Sequence, residues 1–263
     1  MSVESLLSIT LVSPPRSRGI LENTPEHVLD LALSRLQTVG IKLVEWRHLV
    51  DRRMGVPALI KNYSYLVPDA LVPQASHALT DLGLPFVPPT KFEISVYGDF
   101  AVRGHSHRIT QAIDSWRVQH LVIYPQSFAT LADSEFEMRP PSHLLSPGCA
   151  PVLVPTAPAV YASILRMMLQ YDKFHATMRI LQSQLSELIG YHLLGLSGGF
   201  IDVDDDEEWE RWDVNRRISD AVYLVRSSGV DEVWRDGEEW MGDALAEVVK
   251  TGHTEHLPHR LPR

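Results

Sequence analysis

The sequence predicts an α+β fold, in which a small mixed β-sheet with flanking helices precedes a helical C-terminal region. Three observations carry that expectation. Runs rich in β-branched and aromatic residues, the composition of strands, are confined to the first half of the chain. Beyond residue 155, apolar residues recur at the spacing of a single helix face. Between the two halves, prolines at 140, 141, 147 and 151 make the clearest change of composition.

The first helix is expected to start at Thr24, a residue able to cap it, with Pro25 at the first helical position. Leu29, Ala32, Leu33 and Leu36 then form its buried face up to Gly40. A short strand over 41–46 leads into a helical stretch that stops at Gly55, and residues 59–67 read as a second strand ended by Pro68. Asp69 is the expected cap of the next helix, whose buried stripe is Leu71, Ala75, Leu79 and Leu82. Residues 92–97, 105–110 and 118–124 read as strands, the last two as a hairpin. In the helical half, Val160, Ile164 and Met168 share a face, as do Leu181, Leu185, Leu188 and His192, and then Ile218, Val222 and Val225. The resulting division is an N-terminal segment 1–23, a sheet region 24–139, a Pro-rich connection 140–155, a helical region 156–251 and a tail 252–263.

Hydrophobic residues are 44% of the chain and charged residues 22%, values of a folded globular protein rather than a disordered one. The net charge of −9 argues against a nucleic-acid backbone binder, which needs a basic face to neutralise phosphates. One cysteine, Cys149, cannot make an internal disulfide, and a reducing, cytoplasmic setting is expected. Residues 1–13 lack a basic start and a cleavage pattern, so no signal peptide is expected, and no apolar run is long enough for a membrane span.

Several clusters invite a chemical reading. Asp202, Asp204 and Asp206 match the first three ligands of a calcium-binding loop, but Glu207 stands where that loop needs glycine and Asp213 where it needs glutamate. Capping of the following helix is the expectation. His105 and His107 alternate onto one strand face, and His120 joins them in one hairpin register, whereas a one-residue slip sends it to the other face. Zinc is one reading of such a trio, and surface histidines the favoured one. Ser106 lacks the context of a nucleophile elbow, and Gly195, Gly198 and Gly199 read as a helix stop. Cys149 reads as structural rather than as a nucleophile partnered by His143.

One region carries more. The run Val44-Glu45-Trp46-Arg47-His48-Leu49-Val50 is followed by Gly55-Val56-Pro57 and then by Lys61-Asn62-Tyr63-Ser64-Tyr65-Leu66-Val67-Pro68-Asp69. In order and spacing, residues 41–83 resemble the core of the nucleotidyltransferase-fold superfamily, especially the lincosamide and antibiotic-type nucleotidyltransferases and their fungal relatives. In that family the strand leads into a Trp-Gly-Gly or Trp-Gly-Glu turn, and a later strand carries an Asp-x-Asp pair. The resemblance implies that two aspartates on one strand face hold divalent metal against a nucleoside triphosphate. Here Asn62 and Ser64 occupy those positions, and Arg47 and His48 occupy the glycine turn. The family's third carboxylate comes from a later strand; Asp99 is the nearest candidate, with His105 and His107 as the other positions.

An amide and a hydroxyl supply no charge to hold Mg²⁺, so the resemblance implies a non-catalytic relative, a pseudoenzyme with no catalytic residue assigned. Arg47, Lys61, Asn62 and Ser64 are then the candidate cleft for a small anionic ligand or a protein partner, with the cofactor left open. An active Mg²⁺-dependent nucleotidyltransferase with carboxylates recruited from elsewhere is the first alternative. An assembly protein using the tryptophans at 209, 212, 234 and 240 is the second.

Overall fold

The computed structural model describes residues 19–114, 117–200, 204–227, 234–254 and 257. Most of the N-terminal segment, Asp202 of the acidic run and much of the tail lie outside the described residues.

The fold is α+β, and its elements follow the sequence order α1 (Pro25–Thr38), β1 (Val44–Trp46), α2 (His48–Arg53), β2 (Asn62–Val67), α3 (Val72–Asp81), β3 (Phe86–Val87), α4 (Lys91–Tyr97) and α5 (Asp99–Val102). Then come β4 (His105–Arg108), β5 (His120–Pro125), β6 (Phe136–Arg139), β7 (Val152–Pro155), α6 (Ala157–Met168), α7 (Ala176–Leu188), α8 (Asp206–Arg211), α9 (Val214–Ser227) and α10 (Trp240–Thr251). Seven strands form one mixed sheet in the order β3-β4-β5-β2-β1-β7-β6. The pairs β2·β5 and β1·β7 are parallel and the remaining neighbours antiparallel.

Strand alternation sends the two halves of each central strand to different cores. Tyr63, Tyr65 and Val67 of β2, with Leu121 and Ile123 of β5, pack against the apolar stripes of α1 and α3. Leu66 of β2, Val122 and Tyr124 of β5 and Trp46 of β1 face the other way and join Ile164, Leu181, Leu185 and Leu245 from the C-terminal helices. The helical region therefore covers the sheet face on which Asn62 and Ser64 lie. An ion triad ties the two together: buried Arg166 of α6 donates to buried Glu135 (2.7 Å) and to partly exposed Glu238 (2.7 Å).

Four local expectations are corrected. Residues 92–97 form helix α4, not a strand, because Thr90 and Glu93 make a reciprocal capping box: the Thr90 hydroxyl accepts from the Glu93 amide (3.2 Å) and the Glu93 carboxylate from the Thr90 amide (2.7 Å). That local signal outweighs the strand propensity of Phe92, Ile94, Val96 and Tyr97, and all four remain partly or largely exposed. Thr24 makes no side-chain cap, so Pro25 marks the start of α1 without it. Asp69 does not cap α3 either; it opens a short 3₁₀ turn, and its carboxylate accepts the Ser127 amide (3.0 Å). Finally, the Pro-rich stretch ends in β7, an interior strand beside β1, and is pinned by bonds from Arg53 to the Pro140 carbonyl (2.6 Å) and from Gln37 to the Ala150 carbonyl (2.8 Å). Capping of α8 follows the expectation, with the Asp205 carboxylate accepting from the Glu208 amide (2.8 Å). Among the described residues no helix is long and apolar enough to cross a membrane.

Candidate functional site

Strand β1 ends at Trp46, whose ring is held by Phe100 of α5, Tyr124 of β5 and Phe128. The next residue must turn the chain sharply so that α2 can begin at His48. It does so with φ 53° and ψ −132°, and that residue is Arg47. Such a combination is the preserve of glycine, because a Cβ crowds the backbone there at a cost of about 1–3 kcal/mol. A glycine belongs in this turn by geometry, as the family resemblance also implies. In its place the chain has a cation whose guanidinium lies 4.1 Å from the centre of the Phe100 ring and whose buried Nε has no hydrogen-bond partner.

Arg47 faces a cavity of about 250 Å³. Lys61 and Asn62 line it at the start of β2, and His48 lines it at the start of α2. Glu93 and Tyr97 of α4, Phe100 of α5 and His120 of β5, the strand neighbour of Asn62, complete the lining named here. Three of the four residues expected in the cleft thus meet at one cavity. Ser64 does not: it pairs with Trp46 on one side and Val122 on the other, is 1% exposed, and its hydroxyl has no partner. It lies on the same sheet face as Asn62, one pleat deeper and sealed.

No protein-family model and no curated protein matches the chain. Assignment of a role to this cavity therefore rests on its own chemistry.

The residues present do not fit the metal that the nucleotidyltransferase resemblance implies. Asn62 and Ser64 are neutral, and Ser64 is out of reach. Among the described residues one carboxylate lines the cavity, Glu93, and one of its oxygens is taken up by the capping box. Asp99, the candidate third carboxylate, is held away by Tyr171 (3.0 Å) and Arg103 (3.2 Å). Among the described residues the lining thus carries two cations, Arg47 and Lys61, and a single carboxylate rather than the pair that divalent metal needs.

Burial, aided by the adjacent Arg47 charge, pushes the His48 imidazole down to about 4, so it is neutral near pH 7. Burial also lowers His120. The positive charge facing the cavity therefore comes from Arg47 and Lys61, with neutral imidazoles beside them as hydrogen-bonding groups. Behind the turn, Asp51 of α2 is 2% exposed and accepts from Gln184 of α7 (2.8 Å). Burial raises its carboxyl to about 6.

The three histidines do not converge. His107 pairs with Leu121 and His120 with Arg108, so His105 and His107 face one side of β4 and His120 the other. His107 is not a surface group: it is fully buried, with ring nitrogens against the Ser76 hydroxyl (2.9 Å) and the Leu84 carbonyl (3.2 Å). Sequence reasoning missed the α4 part of the cavity lining because it took residues 92–97 for a strand. The Thr90-x-x-Glu93 spacing was the available signal.

Proposed function

We propose that this chain is a non-catalytic protein on a nucleotidyltransferase-like scaffold whose cleft binds a small anionic ligand. Arg47 is the observation that carries the reading. A cation in a glycine turn, held in a strained backbone and over an aromatic ring beside a cavity, is costly to keep unless its charge is used. Lys61 and Asn62 add a second cation and an amide for the same ligand. The absence of a paired carboxylate from the cavity lining supports binding without nucleotidyl transfer.

The reading is tested by calorimetric titration with nucleoside mono- and triphosphates, sugar phosphates, inorganic phosphate and small dicarboxylates, each with and without Mg²⁺, alongside an assay for pyrophosphate. The expected outcome is saturable binding of one anion class without Mg²⁺ and no pyrophosphate release. Mg²⁺-dependent binding with release of pyrophosphate would return the chain to active nucleotidyl transfer. Binding of no anion would remove the anion site and leave the protein-partner role.

A further inference from the structure

A second group of side chains lies across the sheet from this cavity. Asp30 sits on α1, while His143 and Cys149 sit on the stretch between β6 and β7. Their ligating atoms all lie within 4.8 Å of one another. We propose that Asp30, His143 and Cys149 form a binding site for a divalent transition metal of the zinc class.

The geometry is near what such an ion needs. Tetrahedral zinc with bonds of about 2.0–2.3 Å holds its ligand atoms roughly 3.3–3.8 Å apart. The His143 ring nitrogen is already 3.1 Å from the Asp30 carboxylate. The donor set of one oxygen, one nitrogen and one sulfur excludes the hard cations Mg²⁺ and Ca²⁺ and suits zinc or cobalt. Three protein ligands leave a fourth position for water, and Asp30, with 14% of its side chain exposed, opens the site to solvent.

Two features go beyond a coincidence of residue types. The His143 side chain is fully buried and presents Nε2, not the unpartnered Nδ1, to the Asp30 carboxylate. The Asp30 carboxylate is also fixed by backbone, accepting the amides of Gly148 (3.0 Å) and of Cys149 itself (3.2 Å). Those amides are the outer support that holds a metal-binding carboxylate in orientation. The imidazole of His143 and the only thiol of the chain also bond this carboxylate, which brings an oxygen, a nitrogen and a sulfur donor to one point. Metal entry would displace the thiol proton to solvent, leaving a thiolate, and would require the imidazole to carry its proton on Nδ1 so that Nε2 is free to ligate.

Because Cys149 is the only cysteine, cobalt gives a clean test. The 263-residue chain, stripped with chelator and titrated with Co²⁺, is expected to develop a sulfur-to-cobalt charge-transfer band in the near ultraviolet at one equivalent, and Zn²⁺ is expected to abolish it. His143→Ala is expected to weaken Co²⁺ binding at least ~10-fold, and Cys149→Ser to remove the band while the far-ultraviolet dichroism is kept. Co²⁺ bound without the band, or no Co²⁺ bound at all, would overturn the proposal. The wild-type spectrum decides the matter even if a variant fails to fold.

Discussion

Two helix starts in this protein share one backbone shape and differ in the residue that adopts it. Gly98 precedes α5 with φ 55° and ψ −130°, and Arg47 precedes α2 with φ 53° and ψ −132°. At the first turn the chain uses the residue that conformation favours. A Cβ there would lie 2.5 Å from the Thr177 hydroxyl and 2.9 Å from its amide, so glycine is required by packing as well as by torsion. At the second turn the conformation is the same, but the side chain has somewhere to go, over Phe100 and toward the cavity. The difference teaches that the strain at Arg47 is not demanded by the fold, since glycine would serve. Under the proposed anion-binding role, it is tolerated for the sake of a guanidinium in that place.

Substitution at the two turns should therefore have opposite consequences. Gly98→Ala combines a disfavoured torsion with a steric clash and is expected to lose roughly 3 kcal/mol in chemical denaturation. At position 47 the usual order of alanine over glycine should reverse. Arg47→Gly is expected to be more stable than Arg47→Ala by about 1–2 kcal/mol, since both lose the ring contact but only glycine relieves the torsion. Equal stabilities, or alanine the better, would remove strain from the account.

A comparison of the two buried groups behind and beside the Arg47 turn gives a pH signature. Asp51 titrates at about 6 in the folded protein against 3.8 for the ordinary group, so the native state holds its proton more tightly. Its contribution to stability is full below the ordinary value and is lost as pH rises through about 6. His48 behaves oppositely, with a native value near 4 against 6.5, so its contribution is present above 6.5 and lost as pH falls toward 4. Asp51→Asn is expected to gain on the order of 2–3 kcal/mol over wild type at neutral pH and above, with the gain vanishing under acid conditions. It should also destabilise more steeply in acid, because the His48 loss is no longer offset. A pH-independent difference between the two proteins would contradict the assignment.

The smallest effect is expected one pleat below Asn62. Ser64→Ala removes a sealed hydroxyl that has no partner and should change stability by less than about 1 kcal/mol, in the favourable direction. A large loss would mean that the Ser64 hydroxyl has a role the geometry does not give it.

Much of the fold was legible because its signals are local. The stripes of α1, α6 and α7 and the strands β2, β4 and β5 follow directly from apolar spacing. The resemblance over residues 41–83 pointed at the turn where a non-glycine residue holds a glycine torsion. The α4 part of the lining was not read, since strand propensity and the capping box at Thr90 and Glu93 give opposing local signals and the box prevails. The separation of Asn62 from Ser64 was out of reach for a different reason. Alternation puts both on one face, but which of them is covered depends on Trp46 and Val122, neighbours set by strand pairing. The meeting of Asp30 with His143 and Cys149 likewise joins segments more than a hundred residues apart.

The central claim is that Arg47 is kept for an anion, and the most direct measurement is the melting temperature of wild type and Arg47→Gly across the anion panel, with and without Mg²⁺. A ligand that binds only the native state raises its melting temperature. The account predicts a shift in wild type that does not need Mg²⁺ and an affinity at least ~10-fold weaker in Arg47→Gly, the loss expected from a charged hydrogen bond. An equal shift in both proteins, or a shift only with Mg²⁺, would contradict it.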